Sequence, residues 1–322
     1  MKPLSRRHFV QQSLGIATAL SAVSAASAAQ AQTPALTSPA QAPLIPLGRR
    51  TNRKFGFSVL TGTVELGRQL DKGYDAILVP VSIMIKPLEP NQAWAEAKKE
   101  IQSWGFPVRA TSHWTSGGPS IGPNRDLELQ RFCAHRALAR ASGLGAKICG
   151  IYGSSFQVPE ESSRTTATDQ TLRYFDMIGD EAERFGIMIA LEPMGNEKTV
   201  WPLYLDAVEF CRRLGRWNVR CMADTEYFVA RNQPLENIAK YPEYCVLAET
   251  QGVKGQPGFG DRVDIHTRLF RVLRDIGYEG VVDFVAGGTW HNTSGSGPGD
   301  LRVETRKSLE YAQKIRDQVY AE

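Results

Sequence analysis

Ile187-Met188-Ile189-Ala190-Leu191-Glu192-Pro193 is an apolar run that ends abruptly in a carboxylate and a proline. A run of this length with no polar alternation reads as a strand covered on both faces, the usual state of a strand in a parallel sheet. Asp169–Arg184, before it, has a helical pattern and ends in Phe185-Gly186, where glycine supplies the left-handed residue that closes a helix. Tyr204–Leu214, after it, is again helical, and Val219–Asp224 repeats the apolar strand with its terminal carboxylate. Strand, helix and strand in this rhythm form a parallel βα unit.

The rhythm extends in both directions. Further strands are predicted at Gly56–Leu60, Ala76–Met84, Val108–His113, Lys147–Tyr152, Tyr244–Glu249 and Gly280–Val285. Helical patterns fall between them at Asn91–Trp104, Asp126–Ser142, Asp264–Ile276 and Val303–Val319, with weaker ones at Val64–Lys72 and Leu235–Lys240. Trp104-Gly105 and Ile276-Gly277 end helices as Phe185-Gly186 does. Eight such units from residue 55 to residue 322 match the roughly 250 residues of a (β/α)8 barrel. An open doubly wound sheet would begin with a glycine-rich phosphate turn, and no G-x-G-x-x-G follows the first strand. The expected fold is α/β, a single (β/α)8 TIM barrel.

Residues 1–54 read differently. Arg6-Arg7-His8-Phe9, an Ala-rich apolar run from Leu14 to Ala26 and Ala29-Gln30-Ala31 form the three regions of a cleavable signal peptide over 1–31. The paired arginines resemble a twin-arginine signal, which implies hand-over to an export machinery and a periplasmic or secreted protein. The run is too short and polar for a membrane anchor. Residues 32–54, rich in Pro, Ala, Gln and Thr, are expected to be a flexible arm.

The same division explains the charge. Of 322 residues 42% are hydrophobic and 22% charged, an ordinary globular balance, with a net charge of +4. Residues 1–54 contain seven basic residues and no acid, so 31 basic face 34 acidic residues from Phe55 onward, a balance of −3. A nucleic-acid partner therefore has no electrostatic basis. The five cysteines include no C-x-x-C pair, and Cys149, Cys221 and Cys245 lie in strand-like runs as small buried hydrophobes, so no disulfide framework is expected.

In a (β/α)8 barrel the active site lies at the C-terminal ends of the strands. The polar residues there are His113-Trp114, Tyr152, Glu192, Asp224, Glu249 and Asp283, with His291 in the loop beyond. A carboxylate closing an apolar strand is costly without a partner or a metal. A salt bridge is the structural alternative for Glu192 and Asp224. Lys86 and Lys198 follow strands, as surface lysines commonly do, and Trp114, Trp201 and Trp290 are candidates for stacking on a ligand or for anchoring loops.

Ile189-Ala190-Leu191-Glu192-Pro193-Met194, Asp224-Thr225-Glu226-Tyr227, Pro257-Gly258-Phe259-Gly260-Asp261 and Ile276-Gly277-Tyr278-Glu279-Gly280 resemble the sugar phosphate isomerase/epimerase superfamily, the xylose-isomerase-like TIM barrels. The resemblance implies a divalent metal, Mn²⁺ or Mg²⁺, held by Glu, Asp, His and Glu on strands five to eight. It also implies a carboxylate base that moves a proton beside a carbonyl. Glu192 and Asp224 fall on the first two ligand positions. Leu247 and Val285 fall on the other two, and Tyr227 stands where a histidine often follows the strand-six Asp.

Glu249 lies two residues after Leu247 and Asp283 two before Val285, each on the face of the missing ligand, though displaced by about 6 to 7 Å along the strand. A shifted oxygen-only site of Glu192, Asp224, Glu249 and Asp283 is one expectation. A metal-free pocket with Glu192 or Glu249 as base and His113 as acid is the other. Trp114, Tyr227 and His291 are the candidates for substrate binding. Only four histidines follow the leader, and His135 and His266 are expected to face outward, so a zinc-cluster nuclease is excluded. The leading function is an exported isomerase/epimerase acting on a small carbohydrate. A non-catalytic sugar-binding barrel and a metal-independent lyase or hydrolase of an oxidised glycoside are the alternatives, and homo-oligomerisation is compatible with each.

Overall fold

A computed structural model of the chain describes residues 53–112, 119–252, 256–258, 262–285 and 301–322. The leader, residues 32–52 of the arm, His113, Trp114, Trp290 and His291 lie outside the described residues.

Eight parallel strands close into a barrel in chain order. They are β1 (Gly56–Leu60), β2 (Ala76–Pro80), β3 (Val108–Ser112), β4 (Ile148–Tyr152), β5 (Met188–Glu192), β6 (Val219–Asp224), β7 (Cys245–Thr250) and β8 (Val281–Phe284). The helices around them are α1 (Val64–Gln69), α2 (Asn91–Ser103), α3 (Leu127–Gly143), α4 (Arg164–Arg184), α5 (Tyr204–Leu214), α6 (Thr225–Ala230), α7 (Asn237–Lys240), α8 (Val263–Asp275) and α9 (Leu301–Ala321). The expected (β/α)8 barrel is thus the fold. Gly105, Gly186 and Gly277 adopt φ of 75°, 61° and 69°, the left-handed conformation expected where helices end.

Two boundaries differ from the sequence reading. The second strand stops at Pro80, and Val81–Ile85 forms a single π turn rather than more strand. The apolar run continues because Val81, Met84 and Ile85 are buried beneath the turn. After β6 the short helix α6 appears, started by Asp224, whose Oδ1 accepts the Glu226 amide at 2.9 Å.

Strand alternation produces two cores. Ile189, Leu191, Cys221, Ala223 and Ala248 point outward beneath the helices. Leu78, Ala110, Ala190, Met222 and Leu247 fill the barrel interior. All five cysteines are buried and free, as the strand-like setting of Cys149, Cys221 and Cys245 suggested. Among the described residues no helix is long and apolar enough to cross a membrane.

One irregularity positions the site. Cys221 pairs with Cys245, yet the next pair is Met222 with Leu247, so β7 carries one extra residue, Val246. Without this bulge Asp224 would face Ala248, an outward position. With it, Asp224 pairs with Glu249, and both point inward.

Gly153, immediately after β4, approaches the neighbouring strand closely. A Cβ there would lie 2.7 Å from the Glu192 carbonyl oxygen and 3.0 Å from Trp201 Nε1. Gly153→Ala must force β4 and β5 apart, and is expected to cost about 1–3 kcal/mol of stability in urea unfolding.

Candidate active site

Glu192 and Asp224 close β5 and β6, and Glu249 is the penultimate residue of β7. Each follows the inward position of its strand, above Ala190, Met222 and Leu247 respectively. They are 2%, 5% and 1% exposed, and one oxygen from each lies within 4.8 Å of the others. Asp224 is tied down by its cap on α6. Glu192 is fixed through its backbone, whose carbonyl accepts the Trp201 indole at 3.2 Å. Neither Oε2 of Glu192 nor either oxygen of Glu249 has a hydrogen-bond partner among the described residues.

Crowded buried acids resist ionisation. Burial raises Glu192, reinforced by the charge of Asp224 and a hydrogen bond between the two carboxyls. Burial also pushes Asp224 up to about 6, against the Glu226 amide and the nearby Arg262 guanidinium. Glu249 is raised by burial and then by Glu192, Asp283 and Asp224.

Asp283 also points inward but stands apart from the three. Its Oδ1 accepts the Ser58 hydroxyl at 2.8 Å, which draws it toward β1, and it does not belong to the group within 4.8 Å. Tyr227 on α6 is half-buried, and its phenol is raised by burial and by Glu192, Asp224 and Glu249, so it borders the site. Leu247 is fully buried in the floor.

Other expectations are corrected. His266 is not outward but 1% exposed, packed on α8 with Nδ1 2.9 Å from the Tyr311 hydroxyl and Nε2 3.2 Å from the Gln251 carbonyl. Burial holds it down at about 4. His135 is exposed as expected. Trp201 is fully buried and anchors β5, so it offers no face to a sugar, and Lys86 and Lys198 are exposed.

Tyr152 received no role from the sequence. It packs against the inner core, hydrogen-bonds Ser112, and is raised by burial and by Glu249, Glu192 and Asp224. The inward alternation of β4 was the available signal.

Among the described residues this donor set consists of carboxylates alone. One oxygen from each of Glu192, Asp224 and Glu249, mutually within 4.8 Å, fits a divalent cation, which would relieve the repulsion among them.

Residues 68–310 match the xylose isomerase-like TIM barrel family. The chain belongs to it. No curated protein is significantly similar in sequence. Among solved structures, a D-psicose 3-epimerase in the presence of D-fructose is 16% identical with a TM-score of 0.69, over 81% of this chain and 99% of that one. The 3-keto-D-glucoside 4-epimerase YcjR of E. coli is 17% identical at 0.63, over 81% and 99%. The IOLI protein, with a zinc atom bound, is 14% identical at 0.62, over 83% and 100%. These likenesses share the barrel. Leu247 stands where the resemblance implies a histidine, and Glu249, two residues on, is the β7 residue grouped with Glu192 and Asp224.

The carboxyls make stability depend on pH in an unusual direction. Their folded pKa values exceed the unfolded ones, so the folded chain binds more protons, and stability present below the unfolded pKa is lost as pH rises through the folded value. For Asp224 that window runs from 3.8 to about 6. In chelator, the melting temperature should therefore lose this contribution between pH 4 and pH 7. Glu249→Gln should raise it at pH 8 by roughly 2–4 °C, about 1 kcal/mol in a domain of this size.

Proposed function

We propose that this barrel is an exported isomerase/epimerase that moves a proton beside the carbonyl of a sugar or sugar-derived keto compound, with Glu192 as the base. The observation that carries the reading is the free Oε2 of Glu192 in a buried, inward-facing group of acids at the C-terminal end of the barrel. The fold is shared with proteins described as D-psicose 3-epimerase and 3-keto-D-glucoside 4-epimerase, whose substrates make ketoses and keto-glycosides the first compounds to try.

Each residue has a task in this reading. The Trp201 bond to its carbonyl holds the Glu192 backbone still, so Oε2 meets the substrate C–H in one orientation. Burial keeps water away from the carboxyl and raises its basicity. Asp224 holds a position set by its helix cap, and Tyr227, three residues on, is half-buried beside it. A cation held by Glu192, Asp224 and Glu249 would supply positive charge where the enediolate oxygen develops. An oxygen-only set favours Mn²⁺ or Mg²⁺ over softer ions.

Export is proposed from Arg6-Arg7, the Ala-rich run and Ala29-Gln30-Ala31. Leu247 and Val285 favour a second reading, a barrel that binds a sugar without turning it over.

In D2O, NMR should show deuterium entering a ketose beside its carbonyl, and Glu192→Gln should slow this by about 10²-fold or more. Undiminished exchange in that variant would remove Glu192 from the role, and sugar binding without exchange in the wild type would support the second reading. Calorimetry should find about one Mn²⁺ per chain in the wild type and in Asp283→Asn, and none in Glu249→Gln. Replacing Arg6 and Arg7 with lysine should leave the uncleaved precursor in the cytoplasm, as blotting of fractions would show.

A further inference from the structure

The mouth of the barrel is divided by charge. Glu192, Asp224, Glu249 and Asp283 all come from β5 to β8. By alternation, the inward residues that close β1 to β4 are Leu60, Pro80, Ser112 and Tyr152, and none is charged. Tyr152 stands on the border, paired in register with Glu192.

Its setting is that of a held donor. The ring packs against the inner core, and the hydroxyl hydrogen-bonds Ser112 on the neighbouring strand. One step below, Gly150 contributes no side chain, and a Cβ there would lie 3.3 Å from the Met222 sulfur, so the layer beneath the ring is closed. Tyr152 is half-buried while Glu192 and Glu249 are sealed, and its phenol is the polar side chain that closes β4 in register with Glu192. A phenol is neutral and carries one O–H, which suits a donor.

Taking a proton from carbon beside a carbonyl leaves negative charge on the carbonyl oxygen, and a neutral donor aimed at that oxygen lowers the barrier. We propose that Tyr152, oriented by Ser112, is a further catalytic residue that hydrogen-bonds the substrate carbonyl oxygen while Glu192 takes the adjacent C–H proton. The C–H electron pair becomes the C=C bond of the enediolate, and the carbonyl π pair moves onto the oxygen that Tyr152 holds. Return of the proton to carbon reverses both shifts, so no oxidant or co-reactant is needed. Tyr152 is the catalytic residue, and Ser112 is a positioning residue. The assignment rests on the proposed proton transfer beside a carbonyl.

The test uses full-length mature protein and a panel of D-fructose, D-tagatose, D-psicose and a 3-keto-D-glucoside. Deuterium incorporation is followed by NMR, and the dissociation constant of the same sugar by calorimetry. Tyr152→Phe is expected to slow exchange by about 10²-fold, the usual effect of losing one such donor, with the dissociation constant changed less than about threefold. Ser112→Ala keeps the phenol but frees it, and is expected to slow exchange about 10-fold with binding unchanged. Exchange at the wild-type rate in Tyr152→Phe overturns the assignment, as does a loss of binding that accounts for the whole loss of rate. Should Tyr152→Phe fail to fold, wild-type exchange in Ser112→Ala overturns it. Absence of exchange in the wild type with every sugar overturns the proposed function and this assignment together, whereas a Tyr152 failure with active wild type leaves the proposed function standing.

Discussion

Closure of the sheet is the constraint on which everything else in this chain depends. Until β1 meets β8, a parallel sheet has two open edges of unpaired amides and carbonyls, and its inner face is open to water. Gly56 to Val59 pair with Val281 to Phe284 and remove both edges. Outside the seam, Phe57 packs against Phe284 and Phe270 with ring centroids 5.4 and 5.8 Å apart. Inside it, Ser58 bonds Asp283. Once the ring is closed, inward side chains cannot turn away from one another, and polar groups in the uppermost layer share one small volume. The seam also occupies Asp283, which separates it from its three neighbours.

Within that volume charge and shape are set against each other. The floor is apolar, and Leu247 extends it where the family resemblance implies a metal ligand. Solvation of the acids above it is therefore poor, and the bulge at Val246 adds a third carboxyl to the pair already there. The opposite wall contributes hydroxyls and hydrocarbon. Among the described residues, the acids that close the barrel's strands therefore all stand on β5–β8.

Much of this was legible in the residues. Buried parallel strands betray themselves by lacking alternation, and terminal carboxylates on two of them marked the mouth correctly. The glycines after helices marked the ends. What escaped detection has physical reasons. The π turn after Pro80 reads as strand because Val81, Met84 and Ile85 within it are buried. A bulge adds one residue and leaves no compositional trace, so the pairing of Asp224 with Glu249 could be anticipated only as one face among two. His266 reads as polar, but it sits on the face of α8 that buries Leu269, Phe270 and Leu273. Ser112 closes a strand without charge or bulk, and its hydrogen bond is to a residue forty positions away in sequence.

The cap formed by Asp224 sets an order in which the site can be lost. Its side chain starts α6 as well as facing the interior, so replacing it weakens a helix and empties a corner of the mouth at once. Glu249 has no second duty among the described residues, and neither of its oxygens is spoken for. Mutational drift therefore meets least resistance on β7 and most on β6. A lineage can exchange what stands at the seventh strand and change its chemistry while the sixth remains unaltered.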